Sequence, residues 1–159
     1  MTAWVGVVDE AATRELRRQV LRPALALTDP LPGDELSTVV HLAAVDAGTV
    51  VCTCFVYRDP CPWLPDRPAW HLRQMATLPG RRGAGHGRAV VEAAAAHARD
   101  AGAEILWCNA RETAAGFYQQ VGFTVHGETF TDAQHRIPHR RMWRELAGEN
   151  ESASTPRPT

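Results

Sequence analysis

One stretch of the chain, Leu78-Pro79-Gly80-Arg81-Arg82-Gly83-Ala84-Gly85-His86-Gly87-Arg88, separates a β-rich run from an alanine-rich one. Pro79-Gly80 ends a strand, and glycines at 83, 85 and 87 strip the side chains from one edge of the turn beyond it. Successive backbone N–H groups can then converge on an anion at the positive end of the next helix, the size of site a pyrophosphate fills. Arg81, Arg82 and Arg88 add local cations. That helix is predicted from Gly85 to about Asp100, with Val90, Val91, Ala94, Ala95 and Ala98 on one face and Ala101-Gly102 as its stop. So many alanines make it thin, and a thin helix can lie close on a sheet.

The elements around this unit come from period and punctuation. Residues 3–8 read as a strand, and from Asp9 the spacing of Ala12, Leu16 and Val20, with Ala11 and Gln19, predicts a helix capped by Asp9. Pro23, Pro30, Pro32 and Gly33 make 22–34 a long loop or broken helix. Runs 38–45 and 49–57 flank Asp46-Ala47-Gly48 and read as a hairpin. Pro60, Pro62, Pro65 and Pro68 force 59–68 to loop out, with Trp63 and Leu64 either covering a site or anchoring the loop. Strands are predicted at 70–78, 104–109, 123–130 and 139–146, with a short helix at 113–121. One domain over 1–146 is expected, followed by a disordered polar tail at 147–159 holding Pro156 and Pro158.

Composition removes several chemistries. All 17 basic residues are Arg, so a phosphate loop with its lysine and Schiff-base or pyridoxal chemistry are both excluded. Cys52, Cys54, Cys61 and Cys108 form no CxxC pair, so no metal is expected. A net charge of -1 gives no global field for a nucleic acid. No run is long enough for a membrane span and the first ten residues lack a signal pattern, so the expectation is a soluble, cytoplasmic protein. A dinucleotide fingerprint fails because the residue three after Gly85 is Arg88.

The pattern Arg/Gln-x-x-Gly-x-Gly/Ala, met by Arg82, Gly85 and Gly87, resembles the acyl-CoA signature of the GNAT superfamily of N-acetyltransferases. Leu72-Arg73-Gln74-Met75-Ala76-Thr77 is similar to that family's fourth strand, and Ala110 to Phe123 to its second motif. Arg73 with Met75-Ala76, Asn109-Ala110-Arg111-Glu112, and Ile137-Pro138-His139 with Met142 resemble a bacterial subgroup of small acetyltransferases. The resemblance spans about 36–146 and implies an α/β (α+β) fold: a mixed, mostly antiparallel sheet of about seven strands flanked by helices, with the fourth and fifth strands splayed. It further implies acetyl-CoA as cosubstrate, its pantetheine arm along Met75, Ala76 and Thr77. The pyrophosphate would lie on the amides of Arg82, Gly83, Ala84, Gly85, His86 and Gly87, beside the Arg88 cation. Dimerisation, common among such relatives, stays open, as does the amine acceptor, a small molecule or a peptide.

Acetyl transfer needs a deprotonated amine, a polarised thioester carbonyl and an acid for the departing thiolate. Tyr118 stands where the resemblance places that acid; the other reading is a core tyrosine. His71, four residues before Met75, stands where some members carry a glutamate base. By the two-residue period of a strand it shares a face with Arg73 and Met75. Water or self-ionisation of the substrate is the alternative, and His41 and His139 are weaker candidates. Arg73, Arg111 and His139 are candidates for holding the acceptor, and Asn109 for bonding the pantetheine amides, on the ground that a buried amide needs partners. Cys108 offers an acetyl-cysteine route, but its apolar neighbours Ile105, Leu106 and Trp107 would keep the thiol protonated. The reaction expected is direct attack in a ternary complex; the alternative is a silent acyl-CoA-binding module.

Overall fold

The computed structural model describes residues 4–24, 31, 38–133 and 136–146. The expected tail at 147–159 and most of the 22–34 loop lie outside the described residues. In chain order the elements are β1 (Trp4–Val8), α1 (Glu10–Leu21), β2 (Val40–Asp46), β3 (Thr49–Arg58), β4 (Ala69–Thr77), α2 (His86–Asp100) and β5 (Ile105–Arg111). A 3₁₀ turn (Glu112–Ala114), α3 (Ala115–Gln120), β6 (Thr124–Thr131) and β7 (Pro138–Glu145) complete them. The seven strands form one mixed sheet in the order β1-β2-β3-β4-β5-β7-β6, mostly antiparallel, with β4 and β5 parallel. The parallel ladder is short: Ala69, Trp70 and His71 face Ile105, Leu106 and Trp107. Among the described residues no helix is long and apolar enough to cross a membrane.

Contacts cluster into two compact units, Met1–Arg58 with Leu72–Ala96, and Asp59–His71 with His97–Thr159. In the first, α1 packs on β2 and β3. Its buried face is Thr13, Leu16 and Arg17, whereas Ala11 and Ala12 are exposed, one position off the predicted apolar stripe. The cause is Arg17, which is 1% exposed and bonds Glu10 Oε2 and Gln74 Oε1, so a polar side chain occupies a position that hydrophobicity assigns to solvent. Asp9 precedes the helix but its side chain makes no cap bond. The β2–β3 hairpin turns on Ala47 (φ 53°) and Gly48 (φ 82°), two left-handed residues in succession, which matches the twist of the flanking strands.

In the second unit, Cys61, Ala69, Ile105 and Trp107 form an apolar cluster against which Trp63, Leu64 and Trp143 pack. Trp63 and Leu64 therefore anchor the proline-rich loop. The loop is further tied by Arg67, whose guanidinium bonds Glu104 at 3.0 Å and both carboxylate oxygens of Glu145. That pairing holds the Glu145 carboxyl below its usual range. Helix α2 closes as predicted: Gly102 (φ 100°) comes after it, Ala103 N–H bonds Ala98 O at 2.9 Å and Gly102 N–H bonds Arg99 O at 3.0 Å.

Candidate functional site

In the first unit the site begins with a β-turn. Arg81 N–H bonds Leu78 O at 3.0 Å across Pro79-Gly80, and Gly80 carries φ 88°, so proline presets the first corner and only glycine relaxes at the second. Leu78 N–H bonds Val51 O at 2.8 Å and pins the turn to β3. Gly83 (φ 83°) and Gly85 (φ 86°) come next, both left-handed, and an added Cβ at either would meet nothing within 4 Å. The glycines therefore hold a backbone shape and leave open space over it, ahead of the first turn of α2, where Gly87 lies. Arg82, Gly83, Ala84, Gly85 and Arg88 are exposed, and His86 is half-buried.

The three arginines are not equivalent. Arg81 Nη1 bonds Asp46 Oδ2 at 2.8 Å, so it clamps the β2–β3 hairpin and is a poorer anion ligand than its sequence position suggests. Arg82 has no ion-pair partner among the described residues. An exposed guanidinium beside open amides at a helix start is suited to a phosphate.

Upstream, Met75, Ala76 and Thr77 form the end of β4. The buried thiol of Cys52 donates to Met75 Sδ at 3.7 Å and lies 3.3 Å from Thr77 Oγ1, which sets both side chains. Burial holds that thiol above its ordinary pKa. Gln74 takes a left-handed conformation (φ 57°), with its Oε1 bonded to Arg17. This left-handed residue is a local irregularity within β4. Arg73 is half-buried with its guanidinium 5.9 Å from the Phe55 ring centre, a cation–π contact that ties this candidate acceptor ligand to the core. His41 is buried edge-on to Phe55.

In the second unit, His71 is 7% exposed. Its Nδ1 lies 3.0 Å from Asp59 Oδ2, and its ring stacks on Trp107 with centres 3.7 Å apart and planes 16° from parallel. Trp107 Nε1–H donates to Asp59 O at 2.9 Å, and Trp63 meets Trp107 edge-on while stacking on His126. Asp59 carried no signal in the sequence beyond opening the proline-rich loop.

Tyr118 is 5% exposed, its ring packed edge-on to Phe117 and Phe123. The residues after it explain its placement. Gly122 (φ 96°) reverses the chain, and Phe123 N–H bonds Tyr118 O at 3.0 Å while Gly122 N–H bonds Gln119 O. The predicted helix at 113–121 is thus a 3₁₀ turn followed by a six-residue helix in which Tyr118 is the buried residue.

Asn109 is exposed on β5, so the expectation of a buried amide in need of partners is corrected. It faces Arg141 across the ladder, and the exposed Arg111 faces His139. His139 Nδ1–H donates to Ile137 O at 2.7 Å and its ring stacks on Phe130. Cys108 is 2% exposed, and burial pushes its thiol far above the ordinary range. A thiol held protonated in this way is a poor nucleophile.

A family model described as the acetyltransferase (GNAT) domain matches residues 37–125. The chain is 30% identical over 119 residues to an uncharacterized N-acetyltransferase, YitI, of Bacillus subtilis strain 168, a match covering 74% of this chain and 80% of that one. Among solved structures it is similar to an aminoglycoside 6′-N-acetyltransferase complexed with coenzyme A, with a TM-score of 0.74 at 13% identity over 98% of this chain and 99% of that one. It is also similar to ElaA of Escherichia coli, with a TM-score of 0.69 at 16% identity over 91% of this chain and 99% of that one. At such identities the structures speak for the fold, and the sequence matches carry the kinship: the chain belongs to the GNAT family of N-acetyltransferases.

Proposed function

We propose that the chain transfers the acetyl group of acetyl-CoA to a primary amine by direct attack in a ternary complex. The observation that carries this is the turn at 82–87: two left-handed glycines with open space above them, an exposed Arg82 with no ion-pair partner among the described residues, and a helix start, all inside the segment that matches the family. The residues fit a coenzyme pyrophosphate, with the Arg82 to Gly87 amides as donors and Arg82 and Arg88 as cations. The similar aminoglycoside acetyltransferase was solved with coenzyme A, which supports the same cosubstrate here.

Acetyl-CoA supplies an activated thioester. The remaining roles belong to this chain's residues. Met75, Ala76 and Thr77 offer the pantetheine arm a strand end whose side chains Cys52 already orders. Asn109, exposed on β5, is free to reach the arm's amides. Tyr118 donates its phenolic proton to the departing thiolate, a transfer that is slightly uphill by free-solution pKa values and so depends on placement. His71 takes the proton from the attacking amine, with a water molecule as the competing acceptor. Arg73, Arg111 and His139 are the residues proposed to meet the acceptor, a small molecule or a peptide. The burial of Tyr118 between two aromatic rings supports a second reading, a silent acyl-CoA-binding module in which that tyrosine only packs.

Two measurements separate these. Isothermal titration should show binding of acetyl-CoA and none of ATP; the reverse would remove the cradle assignment. A panel of amines, amino acids, polyamines, aminoglycosides and peptides, monitored by release of free CoA thiol, should reveal turnover with one class. Tight coenzyme binding with no thiol release from any class would favour the silent module.

A further inference from the structure

Asp59 is the first residue after β3, and its backbone is fixed at both ends. Its N–H donates to Ala69 O at 3.2 Å and its carbonyl accepts the Trp107 indole N–H at 2.9 Å. Its side chain reaches His71, twelve residues along the chain, at 3.0 Å. His71 is thereby held at two places, by the carboxylate at Nδ1 and by the stacked Trp107 ring, whose centre lies 3.7 Å from its own. Trp107 is itself set in the apolar cluster with Cys61, Ala69 and Ile105. A carboxylate can only accept a hydrogen bond, so the imidazole nitrogen facing it must be the one that carries hydrogen. In the neutral ring that leaves the lone pair on Nε2.

We infer that Asp59 is the positioning residue of His71, holding the imidazole in the Nδ1–H tautomer so that Nε2 accepts the proton of the attacking amine. This builds on the proposal that His71 is the base. The proton balance is simple: the amine's proton passes to Nε2, Nδ1 keeps its own, and the resulting imidazolium is stabilised by the Asp59 carboxylate, which remains ionised. The proton then leaves Nε2 to solvent. The stacked indole adds a π face beneath the cation as it forms.

The test uses the full chain with ¹⁵N-labelled histidine, in wild type, Asp59→Ala, Asp59→Leu and His71→Gln. At a pH where the ring is neutral, the wild-type His71 resonances should report hydrogen on Nδ1. In Asp59→Ala the ring should drift toward the Nε2–H form that a histidine side chain prefers in water, and kcat should fall about tenfold to a hundredfold with KM for acetyl-CoA within about twofold. Asp59→Leu, which offers Nδ1 neither donor nor acceptor, should do the same, and it serves if the alanine variant does not fold. An unchanged tautomer in a folded Asp59 variant overturns the inference. A changed tautomer with full turnover also overturns the catalytic role of Asp59. His71→Gln tells the two failures apart, since full activity there shows that His71 is not the base, whatever Asp59 does to its ring.

Discussion

At residues 82–88 most side chains are exposed and the backbone carries the shape, whereas around His71 and Tyr118 the side chains are buried and ring touches ring. The first region has open space where a Cβ would go; the second has aromatic centres 3.7 to 5.3 Å apart. On the roles proposed above, the contrast follows from what each region would hold. A pyrophosphate is large, hydrated and charged, and is met by amides that need only be uncovered and correctly turned. A proton donor or acceptor must be placed to within fractions of an ångström, which packing does and exposure does not. Substitutions should therefore separate cleanly: changes in the turn should move coenzyme affinity, and changes among the rings should move turnover.

The largest break in that pattern is sought at Tyr118. Tyr118→Phe deletes one oxygen and keeps the contacts with Phe117 and Phe123. Turnover should fall at least about a hundredfold, the usual worth of a general acid, with acetyl-CoA affinity changed less than about threefold. An acyl donor with a more acidic leaving thiol should recover part of the loss. A lower melting temperature with near-normal turnover would make Tyr118 a packing residue and remove the acid from the mechanism.

Next in size is a paired substitution of glycines. Gly85→Ala and Gly102→Ala both force alanine into φ near +90°, at 86° and 100°, and neither Cβ meets a neighbour. The backbone strain is about 1–2 kcal/mol in each, so the two should melt earlier by similar amounts. Only Gly85→Ala should also lose acetyl-CoA affinity, by about tenfold or more, because only there would the new methyl enter the space proposed for the coenzyme. Equal affinity losses would mean that strain, and not occupancy of the cradle, controls binding.

The difference between the regions also explains what could be read in advance. The turn and the end of α2 were legible because residue type encodes them: Pro79-Gly80, Gly83 and Gly85 in the turn, and Gly102 after the helix, each mark a conformation that other residues rarely adopt. The strands and α2 were legible from periodicity to within a residue or two. Gln74 was not, since nothing distinguishes a left-handed glutamine in sequence; its conformation goes with a bond to Arg17, fifty-seven residues away. Likewise the burial of Arg17 shifted the face of α1, and a contact with Asp46 commits Arg81 to the β2–β3 hairpin. Asp59 and His71 meet only because the proline-rich loop folds back onto Trp107, a tertiary event that local spacing does not record. The tyrosine was placed by resemblance, and its local cause, the Gly122 reversal, became visible only in the hydrogen bonds.

A finer comparison lies inside the turn, between neighbouring arginines. Arg82→Ala should weaken acetyl-CoA binding about fivefold to thirtyfold, more at low salt than at high, as expected for an exposed charge-assisted contact. Arg81→Ala should weaken it less, because Arg81 is already committed to Asp46 at 2.8 Å. Titrations at two ionic strengths decide it. A larger effect at Arg81, or salt independence at Arg82, would reverse the roles given to the two side chains.

The smallest functional effect is expected at Cys108, on the same strand as Trp107 and paired with Met142 across the β5–β7 ladder. Its thiol is 2% exposed, and burial pushes its pKa upward, so across pH 6 to 9, an interval of about three units around neutrality, it should stay protonated and resist a disulfide reagent until the protein unfolds. Cys108→Ala should then leave turnover within about twofold while costing about 1 kcal/mol of stability, the order expected for a small cavity in a packed core. That is the mirror image of Tyr118→Phe, where turnover falls and stability holds. Both residues are buried, so the pair asks whether burial alone predicts catalytic importance or whether the chemistry of the buried atom decides. Loss of turnover in a folded Cys108→Ala, with an acetylated thiol trapped in the wild type by mass spectrometry, would replace direct attack by a two-step route and hand the nucleophile's role to the strand.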